Sequence, residues 1–469
     1  MTRTRPQTVL AALLTLPLAA CSLTPDYTRP DVAMPAAYKD PAPLTYSQTD
    51  EDWWAQMANE ELTGLISRAH QNSPTVDATL ARIEQARGTL RAAGGRLLPS
   101  IDGSANAARS WRAGDDGSSA STSDNAGLSV AYELDLFGAN RAQLEGAEES
   151  LNARRFDAAA TRLTLEADVA RAYFTVIALK ERLASAKANL AAAEDILRLV
   201  RLRYEEGAVS AFDLSRQESA TATARARVPG LESDLAAARN ALAVLLGETP
   251  GRVTVKAARL SEFDALAPKL GVPSALLERR PDIQTAEASL RAANADIGAA
   301  KAAFYPQVTL SAGATASGLL TNPYSLVSSL AAGLAQPIFS GGELEGGLIS
   351  AEGRYAELAA AYRSAVLTAL QETDDALTTL AARGEQAGYA ALSSSQADEA
   401  FRLADLQFDA GAIDLLELLD AQRTQLDASD SLVQARLDEL SASVDLYRAI
   451  GGNWPGSAKG ETAETENRL

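Results

Sequence analysis

The stretch "RYEEGAVSAFDLSRQ" (203–217) returns 204 positions later as "QFDAGAIDLLELLDAQR" (407–423). Tyr204 falls on Phe408, Gly207 on Gly411, Ala208 on Ala412, Val209 on Ile413, Asp213 on Glu417 and Leu214 on Leu418. Each copy sets a glycine between two runs of helix-forming residues. That is how one helix ends and the next begins, because a helix C-terminus favours a residue tolerant of positive φ. Further repeats surround this one. "NSPTVDATLARIEQARGTLRAAGGRLLPSID" (72–102) matches "RRPDIQTAEASLRAANADIGAAKAAFYPQVT" (279–309) at an offset of 207, and "YELDLFGANR" (132–141) matches "LAQPIFSGGE" (334–343) at 202. Three matches in one order at nearly equal offsets are an internal duplication, with half-copies at 72–250 and 279–452.

Each half has the same plan. No proline occurs from Ser100 to Val228 or from Ile338 to Trp454, and both intervals are rich in Ala, Leu, Glu, Arg and Gln. Long helices are expected over about 138–204 and 343–408, where apolar residues recur at three and four: Leu163, Ala167, Ala170, Phe174 and Ile177, then Leu358, Tyr362, Val366 and Ala369. At ~1.5 Å per residue each measures roughly 100 Å. Beyond the two glycines the pattern resumes over 212–246 and 415–450, giving return legs of roughly 50 Å. The helices that open the halves (75–98 and 282–303) add ~35 Å, so two shorter helices stacked end to end match one long helix. The glycine turns are then the tips of two long hairpins.

Between the helices the period becomes two. "GLSVAYELDL" alternates Leu128, Val130, Tyr132, Leu134 and Leu136 with Ser129, Ala131, Glu133 and Asp135, and "QVTLSAGATAS" sets Val308, Leu310, Ala312 and Ala314 against Thr309, Ser311, Gly313 and Thr315. Partner strands are expected near 101–112 and 329–339, joined through the loops "RAGDDGSSASTSDNAG" (112–127) and "GLLTNPYSLVSS" (318–329). One apolar and one polar face suit a membrane barrel with lipid outside and water inside. Four strands do not close a barrel, since small ones need about eight. Closure requires further copies, and 8, 12 or 16 strands all remain open on this pattern.

The 469 residues carry a net charge of −18 and no basic patch, which argues against nucleic acid as a partner. Arg3 and Arg5, the apolar run "VLAALLTLPLAA" and "LAAC" read as a lipoprotein signal (1–20) cleaved before Cys21, whose thiol is acylated. Cys21 is the only cysteine, so no disulfide forms within the chain. One histidine, His70, and the absence of a Walker loop, a G-x-S-x-G elbow or a His/Cys cluster leave no nucleophile–base pair or ligand set. No enzyme, cofactor or metal is expected. The remaining segments read as an N-terminal region (21–71), a linker (251–278) and a polar tail (453–469).

"LTPDYTRPDVAMP" (23–35), "LLERRPDIQTAEASLRAANADIGAAKAAFYPQVTLSA" (276–312), "AQPIFSGG" (335–342), "GAIDLLELLDAQR" (411–423) and "LYRAIGGNW" (446–454) resemble the outer-membrane channels of tripartite efflux pumps. This is the TolC-like superfamily, in particular its lipoprotein branch from resistance-nodulation-division systems. The resemblance implies a fold that is mainly α with a membrane β-barrel: a homotrimer whose 12-stranded barrel continues into a 12-helix tunnel, with a mixed equatorial region. It also implies a periplasmic adaptor and an inner-membrane transporter as partners, outer-membrane lipid around barrel and anchor, and small drugs or other toxic compounds as cargo. Ser22 after the acylated cysteine resembles lipoproteins sent to the outer membrane. The family's acidic constriction falls on Glu417 and Asp420, with Asp213 as the first-repeat acid; Phe408 and Tyr204 take gate-adjacent positions, and Gly207 and Gly411 the tips where an adaptor docks. Phe408 stands where some relatives carry a gating tyrosine, and Ile413 where some carry arginine. The second tip holds Asp409, Asp414, Glu417 and Asp420 with no base before Arg423, whereas the first mixes Glu205, Glu206 and Asp213 with Arg203 and Arg216. Repeated around an axis, the second set makes a cation-favouring ring. The rival readings are an acylated periplasmic adaptor, against which two hairpins and two strand pairs count, and a coiled-coil lipoprotein, which needs no alternating strands.

Overall fold

A computed structural model describes residues 22–38, 53–57, 59–114, 117–257, 259–266, 272–321 and 323–452. The signal segment 1–20, the acylation candidate Cys21 and the tail 453–469 lie outside the described residues. The elements run α1 (Glu60–Asn72), α2 (Pro74–Gly95), β1 (Ser100–Gly114), β2 (Gly117–Leu134), α3 (Ala139–Glu205), α4 (Ala211–Leu245), the single turn α5 (Leu276–Arg279), α6 (Pro281–Ala302), β3 (Gln307–Ser317), β4 (Ser325–Ala335), α7 (Glu343–Asp409) and α8 (Leu415–Ala449). Corresponding helices have equal lengths: 22 residues in α2 and α6, 67 in α3 and α7, 35 in α4 and α8. Helix α4 runs through Pro229 without ending.

The chain divides into two compact units. The first contains Arg82–Arg154 and Thr285–Arg363 with the N-terminal stretch up to Asp31, and carries a four-stranded antiparallel sheet in the order β1-β2-β3-β4. Its register sorts the side chains. Ile101 faces Val130, Val130 faces Ala312 and Ala312 faces Leu330, so these four lie on one face, together with Leu128, Tyr132, Leu134, Val308, Leu310, Leu326 and Leu334. Asp102, Ser129, Gly313 and Ser329 lie on the other, with Asn106, Glu133, Thr309 and Ser311. From Ala126 to Leu134 the apolar face covers roughly 27 Å of strand at ~3.4 Å per residue. The apolar side chains are uncovered in the single chain: Leu330 is 86% exposed and Leu334 70%.

Two expected boundaries move. The Gly/Ser/Asp-rich stretch read as a loop is mostly strand, because β2 starts at Gly117 and pairs in register with β1 up to Gly114. Ser118, Ser121 and Thr122 give no period-two apolar signal, yet their backbones complete the ladder. Strand β4 is Ser325–Ala335, not 329–339. Pro337 follows directly, and proline lacks the N–H that a ladder requires. The β3–β4 loop is fastened by Asp124 of β2, whose carboxylate accepts from Leu320 N–H and the Thr321 hydroxyl, both at 3.0 Å. Residues 24–29 lie along one face of α6: Asn294 donates to Pro25 O (2.7 Å), Arg29 pairs with the buried Glu287 (2.9 Å), and Arg291 covers the Tyr27 ring.

The second unit contains Arg155–Gln284 and Ser364 onward with Val32–Ala81. Its core joins Leu62, Leu65 and Ile66 of α1, Tyr173, Phe174 and Ile177 of α3, Leu242 and Leu246 at the end of α4, Phe263 of the linker, and Val444 and Tyr447 of α8. Trp53 stacks on Tyr447 with centroids 5.5 Å apart. His70, read from sequence as an ordinary surface or packing residue, stands edge-on to Trp54 with its Nε2 2.9 Å from Glu166. The linker is clamped from both sides. Lys180 donates to the carbonyls of Val255, Lys256 and Ala257, and Glu61 accepts from the N–H groups of Lys256 and Ala257 and from the Tyr173 hydroxyl.

Candidate gate at the helical tips

Both tips lie in the second unit and share one backbone design. At the first, Ala208 N–H donates to Arg203 O (2.8 Å) and Gly207 N–H to Tyr204 O (3.0 Å); at the second, Ala412 N–H donates to Gln407 O (2.8 Å) and Gly411 N–H to Phe408 O (3.0 Å). This pair of bonds is the Schellman motif, which satisfies the last carbonyls of the long helix and sets its glycine at positive φ. Gly207 has φ +74 and Gly411 φ +70, and a Cβ at either would meet nothing within 4 Å. Glycine is needed there for the backbone angle alone.

Three residues past each glycine the return helix is capped. Ser210 accepts from Asp213 N–H at 3.2 Å, and the Asp213 carboxylate accepts from Ser210 N–H at 3.1 Å, a complete capping box. The Ser210 hydroxyl also donates to this carboxylate, and these bonds hold its pKa below the usual aspartate value. In the second tip Asp414 accepts from Glu417 N–H at 3.1 Å. The exposed Glu417 carboxylate thus stands at the third helical position, where Asp213 stands in the first repeat. Asp420 is also exposed, and Arg423 one turn on approaches it at 3.0 Å.

The gate-adjacent aromatics part company. Phe408 is 7% exposed, with the Arg203 guanidinium 5.1 Å from its ring centroid, whereas Tyr204 is 42% exposed. The first tip instead presents Phe212, 67% exposed, under Arg216 at 5.6 Å. A groove of about 560 Å³ runs beside the tips, lined by Asn189 of α3, Arg216 and Thr223 of α4, and Leu416, Asp420 and Arg423 of α8 among others. Asp420 therefore shares its surroundings with guanidinium groups, and Glu417 is absent from that lining. Among the described residues no cluster of His, Cys, Asp and Glu is arranged to hold a metal ion, and no helix is long and apolar enough to cross a membrane.

An antiparallel sheet with a band of apolar side chains on one face, joined in one chain to two long helical hairpins, defines a class: an outer-membrane channel subunit. The chain belongs to the outer membrane efflux protein family, whose model matches residues 65–248 and 272–452. It is similar to the pyoverdine export outer membrane protein OpmQ of Pseudomonas aeruginosa, at 38% identity over 94% of this chain and 96% of the relative. It is also similar to the outer membrane protein OprJ of the same organism, at 33% identity over 95% of this chain and 96% of the relative. Among solved structures, the open state of the Neisseria gonorrhoeae MtrE outer membrane channel superposes with a TM-score of 0.83 at 29% identity, covering 92% of this chain and 98% of that one. The protein is an outer-membrane efflux channel, not an enzyme.

Proposed function

We propose that three copies assemble into one duct: a 12-stranded barrel in the outer membrane that continues into a 12-helix periplasmic tunnel, closed at rest by the helical tips. The observation that carries this reading is the pair of open sheet edges. β1 and β4 each have a single neighbour, and edges of 15 and 11 residues with apolar side chains are liabilities unless another strand covers them. Pairing β4 of one copy with β1 of the next removes both edges, places the Leu and Val face toward lipid and turns the Ser, Thr and Gly face to water.

Cys21, three residues ahead of the docked Thr24, carries the acyl anchor in this reading. The six tips of the trimer meet a periplasmic adaptor, with Gly207 and Gly411 in the docking surface, and an inner-membrane resistance-nodulation-division transporter supplies small toxic molecules as cargo. Glu417 and Asp420 of three chains form the constriction, Asp213 adds a first-repeat acid, and Phe408 and Tyr204 flank the moving parts. The test is single-channel conductance of the purified protein in planar bilayers, wild type against the double variant Glu417→Ala/Asp420→Ala. The expected result is a small cation-selective conductance that rises and loses selectivity in the variant. A pore indifferent to both substitutions removes the acids from the constriction, and a well-folded trimer with no conductance overturns the duct.

A further inference from the structure

The two hairpins differ at their bases, within the second unit, as well as at their tips. Arg280 closes α5 and is buried, its side chain 8% exposed. Its guanidinium reaches three segments: Asp282 at the head of α6 through Nε (3.0 Å) and Nη2 (2.7 Å), Glu372 in the middle of α7 (2.7 Å), and the carbonyl of Ala449, the last residue of α8, through Nη1 (2.9 Å). Thr373 adds a second donor to the Ala449 carbonyl at 3.3 Å. Gly451, at φ +91, lets the chain beyond α8 press on this joint, since a Cβ there would stand 2.6 Å from Arg279 O. A cation at a helix C-terminus is favoured by the helix dipole, and a buried one persists only while every partner stays in place.

At the matching positions of the first repeat stand Ser73 for Arg280, Asp168 for Glu372, Val169 for Thr373 and Leu245 for Ala449. The close backbone approach is kept, because a Cβ on Gly247 would lie 2.1 Å from Asn72 O. The ionic joint is not kept. Asp168 pairs with Arg171 one turn on, which also pairs with Asp445 of α8, and two separate pairs tie α1 to the first hairpin: Arg68 with Glu248 just past α4, and His70 with Glu166 of α3. Ser73, at the position of Arg280, carries no charge with which to bridge the two legs.

Taking the second tip as the moving gate, we propose that Arg280 is the positioning residue of that gate: a buried knot that forbids α8 to slide along α7 at the base. The second tip then moves only by bending on the far side of the knot. The lever is long, since Ala449 lies 34 residues from Leu415, or roughly 50 Å along α8. The first hairpin has no arginine at that position, and its legs are joined instead by exposed ion pairs, Lys187 with Glu232, Arg225 with Glu194 and Arg201 with Glu218.

The test uses the full-length acylated protein in detergent, spin-labelled at Ala412→Cys beside the second turn or at Ala208→Cys beside the first, with the unsubstituted chain as labelling blank. Distances between labels of the three subunits are read by pulsed electron resonance. Arg280→Met is expected to displace or broaden the Ala412 distances by about one helical turn, ~5 Å, while the Ala208 distances stay in place. Thr373→Val, which removes one donor and no charge, gives a smaller shift of the same kind, and Arg280→Lys falls between. Should Arg280→Met not assemble, those two milder variants carry the test. Equal displacement of both tips, or of neither, overturns the knot and leaves Arg280 a general fold stabiliser. Absence of any intersubunit distance in the labelled chains that keep Arg280 removes the trimer itself, and the knot's role in gating with it.

Discussion

The two tips are built on one backbone and carry opposite chemistry. Over matched windows, 203–216 has two bases against three acids, whereas 407–420 has four acids and no base. The net charges are −1 and −4, and the sharpest exchange is Arg216 against Asp420 at the same position of the return helix. The aromatic exchange runs the same way: Tyr204 is open to solvent, while Phe408 is buried beneath Arg203 from the other tip. Duplication supplied two equal turns, and their side chains give them different surfaces. In the proposed trimer the first tip offers a mixed, partly apolar surface suited to a protein partner, and the second concentrates negative charge. Like charges held close repel, so the acidic ring resists its own closure unless cations or neighbouring guanidinium groups offset it.

The largest expected effect breaks this division directly. Charge-inverting Arg216→Asp in the first tip adds two negative charges per chain, six per trimer, and the conductance assay separates two outcomes. If the first tip lies off the permeation path, the cation-to-anion permeability ratio stays within about twofold of wild type, while Glu417→Ala/Asp420→Ala lowers it on the order of tenfold. A response to Arg216→Asp as large as that of the double variant would mean that both tips line the constriction.

A second contrast separates burial from exposure. Phe408→Ala removes a buried ring and its contact with the Arg203 guanidinium, and the expected cost is about 3 kcal/mol. Tyr204→Ala, at the same place in the other repeat, removes a partly exposed ring and is expected to cost under about 1 kcal/mol. Hydrogen exchange in the last turns of α7 and α3 reads both. Equal loss of protection in the two variants would end the claim that the tips differ in packing.

Where the tips are alike, substitutions should act alike. Gly207→Ala and Gly411→Ala both force a Cβ into positive φ with no steric clash, so each is expected to cost roughly 1 kcal/mol of local stability. A difference beyond ~0.5 kcal/mol between them, again by hydrogen exchange, would show that one turn is strained by its surroundings and the other is not.

Much of this was legible before any coordinates. Runs of Ala, Leu, Glu and Arg locate the four hairpin helices α3, α4, α7 and α8 within two residues, even though α4 contains Pro229, because helix propensity and the Schellman glycine act locally. Strands were legible only where the apolar face exists. From Gly117 to Asn125 strand β2 has no alternating apolar residue, so its composition read as a loop although its register with β1 is unbroken. The acidic character of the second tip could be read from "DAGAIDLLELLD", but the burial of Phe408 could not, since it depends on Arg203, which lies 205 positions earlier. Arg280 was equally hidden. It stands in a segment that carries the resemblance, but its partners Glu372 and Ala449 lie 92 and 169 positions away. Local chemistry wrote the elements; long-range contacts set which of their side chains are buried.

The smallest effect concerns the cap, and its sign follows from the hydrogen bonds of Asp213. The Ser210 hydroxyl and backbone N–H favour the charged carboxylate, so the folded pKa lies below the ordinary value of 3.8. A group whose pKa is depressed by folding stabilises the fold above its ordinary value, and this contribution disappears as pH falls through the folded value. Amide protection in the first turn of α4 should therefore persist at neutral pH and decline below about pH 3.8, while Asp213→Asn lowers it at neutral pH and removes that acid-dependent step. Ser210→Ala takes away the hydroxyl and should move the decline up toward 3.8. If acid instead frays the turn equally in wild type and in Asp213→Asn, the box does not hold this tip, and the repeated glycine turn stands by its backbone bonds alone.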